Sequence, residues 1–140
     1  MADALTRGLL ESGVDVHSLG ECGTEEVYFA VFDQKMDGGI MVTASHNPKD
    51  YNGMKFVREE SRPISGDTGL FAIRDLAVSG AFPVSQTRGN VFPLQVRERY
   101  RDHLLGYIAK AKLKPLKIVV NAGNGGAGAI IDLMESELPF

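Results

Sequence analysis

The sequence predicts an α/β fold, on three observations. Short apolar runs of strand character alternate with stretches of helical periodicity, Gly and Pro clusters punctuate most junctions, and one polar loop follows directly on a buried strand. Leu5, Leu9 and Leu10 recur at helical spacing and the pattern stops at Gly13, so residues 3 to 12 form the first expected helix. Val14 to Leu19 then alternates like a strand. Thr24 can cap a second helix with Glu25 and Glu26 at the positive end of its dipole, running to about Met36. Gly38-Gly39 ends it, and Ile40-Met41-Val42 forms a short buried strand. The loop that follows is dense in turn chemistry, with Asn47-Pro48, Asp50 and Asn52-Gly53, before Met54 to Val57 returns as a strand.

Further on, Pro63 and Ser65-Gly66-Asp67 mark a turn, and Asp67 or Thr68 caps a helix that carries Leu70, Ile73, Leu76 and Ala77 and closes at Gly80. Phe82 to Asn90 reads as a connection, with a short strand near Val91-Phe92 stopped by Pro93. Val96, Tyr100, Leu104 and Ile108 fall four apart and predict an amphipathic helix over 95–110. Lys112 to Pro115 is a candidate domain boundary. Beyond it the sequence predicts a strand over Leu116–Val120, a glycine-rich loop over 121–126 and a helix over 128–138, the start of a new β-loop-α unit.

Composition excludes several function classes. Hydrophobic residues at 44% and charged residues at 24% are near globular averages, so neither disorder nor a membrane span is expected. A net charge of −3 argues against a general nucleic-acid binder, whose affinity rests on neutralising phosphates. One cysteine, Cys22, makes no intrachain disulfide and fits a reducing compartment. No basic-then-apolar signal segment stands at Met1, so the expected location is cytoplasmic. His17 and His103 have no partner pattern and read as solvated or core-edge histidines.

Chemistry concentrates in the loop around Ser45, at the carboxyl end of a strand, where ligands collect in open α/β sheets. Thr43, Ser45, His46 and Asn47 offer side-chain donors, Lys55 lies one strand turn away, and exposed backbone N–H groups there can form an anion-binding nest. A serine in a turn also has a plainer reading as a turn former. Two other patterns are weaker. Gly123 to Gly128 satisfies G-x-G-x-x-G, but the acidic ribose partner would fall past residue 140, so a structural tight turn is the better reading. Ser45-His46 as a hydrolase pair lacks a G-x-S-x-G elbow, and adjacent residues seldom give productive base geometry.

The run Thr43-Ala44-Ser45-His46-Asn47-Pro48 with Tyr51-Asn52-Gly53-Met54-Lys55 resembles the phosphoserine loop of the α-D-phosphohexomutase superfamily. Gly38-Gly39-Ile40 before it, and Val57-Arg58-Glu59 and Arg62 to Gly69 after it, are similar to the bacterial phosphomannomutase branch that supplies GDP-mannose synthesis. The resemblance implies a mixed sheet between helices, with residues 1–111 as the later part of the first of four domains and 112–140 as the opening of the second. It implies a reversible phosphoryl shuffle between hexose 6-phosphate and hexose 1-phosphate. Ser45 carries the phosphoryl group, a hexose 1,6-bisphosphate is intermediate and activator, and Mg²⁺ is held through the Ser45 phosphate.

Within that pattern Lys55 is the general base or charge-stabilising residue, and a lysine serves best when neighbours lower its pKa. His46 contacts the phosphate or assists proton transfer, and Thr43, Asn47 and Asn52 hold phosphate or substrate, Asn47 chiefly by shaping the loop. The partners implied are the hexose phosphate and the remaining domains, with no nucleic acid and no membrane. Four of the superfamily's parts are absent from these residues: an N-terminal Arg-containing segment, an Asp-Gly-Asp-Gly-Asp metal loop, a sugar-recognition loop and a C-terminal phosphate loop. The chain alone is therefore expected to be inactive or nearly so. The alternative is a module that binds a phosphate or sugar phosphate without transferring it.

Overall fold

The computed structural model describes residues 1–82, 85–109, 112–123 and 125–140. Five helices and four short strands are seen among them: α1 (Ala2–Glu11), β1 (Val16–Ser18), α2 (Thr24–Asp33), β2 (Gly38–Val42), β3 (Met54–Arg58), α3 (Leu70–Ser79), β4 (Val91–Pro93), α4 (Arg97–Gly106) and α5 (Ala127–Glu135). Two 3-10 turns, Glu59–Ser61 and Gly66–Thr68, lie between β3 and α3. The expected α/β class is observed. Its strands form two small sheets, a parallel pair β1–β4 with Val16 opposite Val91, and an antiparallel hairpin β2–β3 with Met41 opposite Lys55.

The best-packed part of the molecule is α2 against this hairpin. Val27, Ala30 and Val31 recur at helical spacing and are buried, as is Val57 on β3. Gly39 lets helix and hairpin approach, because a Cβ there would sit 2.5 Å from Val31 Cγ2 and 3.0 Å from Val27 Cγ1. Gly38-Gly39 therefore belongs to β2 instead of ending α2, which stops at Asp33 with Lys35 in the left-handed region (φ 52°). Gly39→Ala is expected to destabilise the chain by about 2 kcal/mol through overpacking, read as a lower urea midpoint with an unchanged slope.

At the start of α2 the N-cap is Gly23, not Thr24, and the Glu26 carboxylate turns back to accept the Gly23 N–H at 2.7 Å. Glu26 is 2% exposed, and Arg97 from the start of α4 faces its other oxygen at 3.5 Å. A buried carboxylate survives only when paired in this way. Cys22 beside it has a thiol pushed up by burial and by Glu26, with Arg97 opposing, which disfavours the thiolate.

A second link joins the other end of α2 to α4, where Arg99 donates to Asp33 at 2.7 Å. The hydrogen bond from Arg99 holds the Asp33 carboxyl below the usual carboxylate range. A carboxyl whose pKa falls on folding stabilises above its unfolded value, about 3.9, and that contribution disappears as pH drops through the folded value. Asp33→Asn should therefore lower the urea midpoint at pH 7, and the gap to the unmodified chain should narrow as the pH falls below about 4. A gap that does not narrow on acidification would contradict this assignment.

Helix α3 differs from its expected start. Thr68 Oγ1 accepts the Ser65 N–H at 2.7 Å within the 3-10 turn, so the helix begins only after Gly69, whose φ of 135° is open to glycine. The strand expected over Leu116–Val120 is not formed. That segment runs without ladder partners and leaves Val119 96% exposed, because no neighbouring edge among the described residues reaches it. Helix α5 does form, and it docks on α4 and on the approach to α2. A Cβ at Gly126 would lie 3.0 Å from the Cys22 carbonyl carbon, and Ile130 is buried. Of the expected glycine loop, Asn124 lies outside the described residues, and Gly123 adopts φ 58° with its N–H bonded to Asn121 Oδ1 at 2.9 Å. Pro83 and Val84 of the expected connection, and Lys110 at the end of the expected fourth helix, also lie outside them. No helix among the described residues is long and apolar enough to cross a membrane.

Candidate functional site

The β2–β3 hairpin delivers and receives the Ser45 loop. Thr43 N–H donates to Gly53 O at 2.9 Å, extending the ladder one pair beyond Val42–Met54. Gly53 permits this closeness, since a Cβ there would meet Thr43 O at 3.0 Å. The chain then turns sharply, and Ser45 takes up the left-handed region with φ 54°. That conformation is uncommon for a residue with a side chain and costs of order 1 kcal/mol.

Local hydrogen bonds hold it there. Ser45 N–H donates to Thr43 Oγ1 at 2.9 Å, and Asn47 donates to Ala44 O through both its backbone N–H (3.0 Å) and its side-chain amide (2.9 Å). Tyr51 N–H closes the next turn on Pro48 O at 2.9 Å. Thr43 and Asn47 thus shape the loop. The backbone nest expected there is not free, because the N–H groups of Ser45 and Asn47, on either side of His46, are already bonded.

The consequence for Ser45 is an exposed hydroxyl, with Oγ 3.2 Å from His46 Nδ1. Sequence reasoning held such an adjacent pair to be unfavourable, and the left-handed turn at Ser45 is what brings the two groups together. Lys55 stands opposite Met41, and Thr43 lies two residues beyond Met41, so Lys55 shares the face of the hairpin that leads to Ser45. Its side chain is exposed and makes no hydrogen bond or ion pair among the described residues, and the same holds for the side chain of Asn52.

The site is therefore a surface loop carrying a hydroxyl and an imidazole, with Lys55 on the strand that follows it. It is open to solvent, with Ser45, His46 and Asn47 all exposed. No group of three or more His, Cys, Asp or Glu side chains placed to hold a metal occurs among the described residues.

The family profile of phosphoglucomutase/phosphomannomutase, alpha/beta/alpha domain I, matches residues 1–82, more than half of the sequence and the whole of this loop. The chain belongs to that family. A phosphomannomutase of Salmonella typhimurium is 57% identical over 137 residues, covering 96% of this chain and 30% of the relative. One from Escherichia coli strain K12 is 56% identical over 135 residues, with 95% and 30% covered, and phosphohexose mutases of Xanthomonas campestris are 54% identical over all 140 residues. A solved structure of a phosphoglucomutase/phosphomannomutase family protein from Burkholderia thailandensis superposes with a TM-score of 0.82 at 33% identity, covering 98% of this chain and 30% of that one. The chain spans about 30% of the length of the curated relatives it matches.

Proposed function

We propose that this chain is the phosphoserine-bearing part of a longer phosphomannomutase that interconverts hexose 6-phosphate and hexose 1-phosphate, with mannose as the principal sugar and glucose as the second. The observation that carries this reading is the exposed Ser45 hydroxyl, held in a strained conformation beside His46. Strain concentrated on one polar side chain is a device of functional sites. The relatives, at more than half identity across the chain, supply the chemical class.

In the proposed reaction the bond from phosphorus to Ser45 Oγ breaks as a bond to a free hydroxyl of the hexose monophosphate forms; Lys55 is the general base for that hydroxyl's proton, and His46 Nδ1, 3.2 Å from Oγ, gives a proton to the departing serine oxygen. The hexose 1,6-bisphosphate turns over in the site. Its other phosphoryl group is then taken by Ser45 Oγ, whose proton returns to His46, while Lys55 returns its proton to the sugar oxygen that leaves. Transfer of this kind asks the protein mainly for positioning and charge stabilisation, which suits cationic and donor groups on a pre-shaped loop. Mg²⁺ belongs to the same proposal, but the residues here do not by themselves fit it. The ion prefers six oxygens, and the Ser45 phosphate is the one ligand this chain would supply, so no step is derived through the metal.

Because the loop is open to solvent, the substrate enclosure and the sugar selector must come from the remaining length that the relatives possess. The isolated chain should accordingly show no turnover in a coupled assay with mannose 1-phosphate or glucose 1-phosphate, while the parent-length protein turns over both. Isolated-chain turnover at the parent's rate would sink this division of labour, and a parent inactive on both sugars would sink the activity itself. In the parent, Lys55→Met should lower turnover by about 10²-fold with little change in thermal stability, as expected for a proton-transfer group on an exposed strand.

A further inference from the structure

The left-handed φ of Ser45 turns about the bond that leaves the Ala44–Ser45 peptide, and both polar ends of that peptide are held. Its carbonyl, Ala44 O, accepts from Asn47 twice, through the backbone N–H at 3.0 Å and the side-chain amide at 2.9 Å. Its N–H, that of Ser45, donates to Thr43 Oγ1 at 2.9 Å. A peptide unit is planar, so fixing its oxygen and its N–H together fixes the plane from which Ser45 departs. A residue in a sparsely populated region stays there only while its surroundings over-determine it.

Of the two residues that grip this peptide, Thr43 is the better anchored. Its own N–H is bonded to Gly53 O at 2.9 Å, in continuation of the β2–β3 ladder, and it is half-buried, whereas Asn47 lies exposed in the loop. Branching at Cβ stiffens its χ1, so Oγ1 is a nearly stationary acceptor. We infer that Thr43 is a positioning residue for phosphoryl transfer: by accepting the Ser45 N–H, and not by contacting the substrate, its hydroxyl keeps Ser45 Oγ beside His46 Nδ1. The assignment rests on the reaction proposed above. Without that oxygen the exposed Ser45 N–H turns to water, so the fold loses little. The φ of Ser45 is then released towards the regions open to any residue, and the hydroxyl leaves the imidazole in that fraction of molecules.

Two variants of the parent-length protein separate the oxygen from the rest of the side chain. Thr43→Val keeps the branched shape and removes the acceptor, and should lower kcat about 30-fold while KM for mannose 1-phosphate stays within about two-fold. Thr43→Ser keeps the acceptor and should hold kcat within about three-fold. A second readout needs no turnover. With serine-selective isotope labelling, the Ser45 amide is the signal missing from Ser45→Ala, and its hydrogen exchange should quicken about ten-fold in Thr43→Val but not in Thr43→Ser. Thr43→Ala takes the place of Thr43→Val if the latter loses cooperative unfolding, with the same losses expected. An unmodified parent without turnover refutes the reaction and the inference with it. Turnover in the unmodified protein that Thr43→Val leaves within two-fold refutes the inference alone. So does a Thr43→Ser variant as slow as Thr43→Val, or a raised KM at unchanged kcat, which would make Thr43 a substrate contact.

Discussion

Ser45→Ala is expected to remove phosphoryl transfer from the parent-length protein, lowering turnover by at least about 10⁴-fold, the scale on which loss of a covalent nucleophile is felt. The fold should hardly notice. Ser45 is exposed, its hydroxyl bonds only to the adjacent His46, and the hydrogen bonds that shape the loop run through its backbone N–H and through Asn47, which alanine leaves in place. The stability change should stay within about 0.5 kcal/mol, as for other surface substitutions. Kinetics and urea unfolding measured on the same variant therefore separate a chemical role from a structural one. A variant that unfolds early would reassign Ser45 to the turn, and one that keeps its turnover would remove it from the reaction.

The largest expected loss of stability lies elsewhere, at Gly89. A Cβ there would stand 2.1 Å from the Val14 carbonyl oxygen and 2.4 Å from its carbon, and backbone cannot swing aside as a side chain can. Around this point the last residues before β4 are fastened to the rest of the chain. Gly89 N–H donates to Leu10 O at 2.9 Å, Asn90 N–H to Asp15 Oδ1 at 2.7 Å and Val16 N–H to Asn90 O at 2.8 Å. Gly89→Ala must displace β4 from β1 or open these bonds, and a loss of about 3 kcal/mol or more is expected in urea unfolding. Gly8→Ala is the matched control. Gly8 lies within α1 with nothing near its Cβ direction, so alanine there should stabilise by about 1 kcal/mol through helix propensity alone. Equal effects at the two positions would show that contact with Val14 does not decide the outcome.

How much of this was readable beforehand follows from the range of each interaction. The helices were visible because apolar spacing is local: Leu5 and Leu9, or Val96, Tyr100 and Leu104, announce their own face. The Ser45 loop was visible because its turn residues and the resemblance coincide in one run of sequence. Contacts between distant residues were not. Glu26 looked like a dipole-favoured residue of a first turn, and only Arg97, 71 positions on by number, makes it a buried ionic link. Gly39 looked like a helix stop until β2 was seen against α2. Leu116 to Val120 has the composition of a strand, yet strands exist only in pairs, and no partner edge reaches it among the described residues.

Within the site, the sequence placed the right groups in one loop but not their hydrogen bonds. Donors expected to point at a phosphate, the Ser45 and Asn47 N–H groups, instead close the turn on Thr43 Oγ1 and Ala44 O. The left-handed φ of Ser45 carries no sequence signature, since serine is not the residue that conformation favours. That backbone geometry sets Ser45 Oγ beside His46 and out towards solvent, the arrangement on which the functional proposal rests.

The most direct measurement is the site of covalent phosphate. The parent-length protein would be incubated with a hexose 1,6-bisphosphate and Mg²⁺, and its mass and phosphopeptides compared with those of Ser45→Ala. One added phosphoryl group is expected, mapped to Ser45 and absent from the variant. A phosphoryl group on another residue, or reversible binding of the bisphosphate with no adduct, would contradict it.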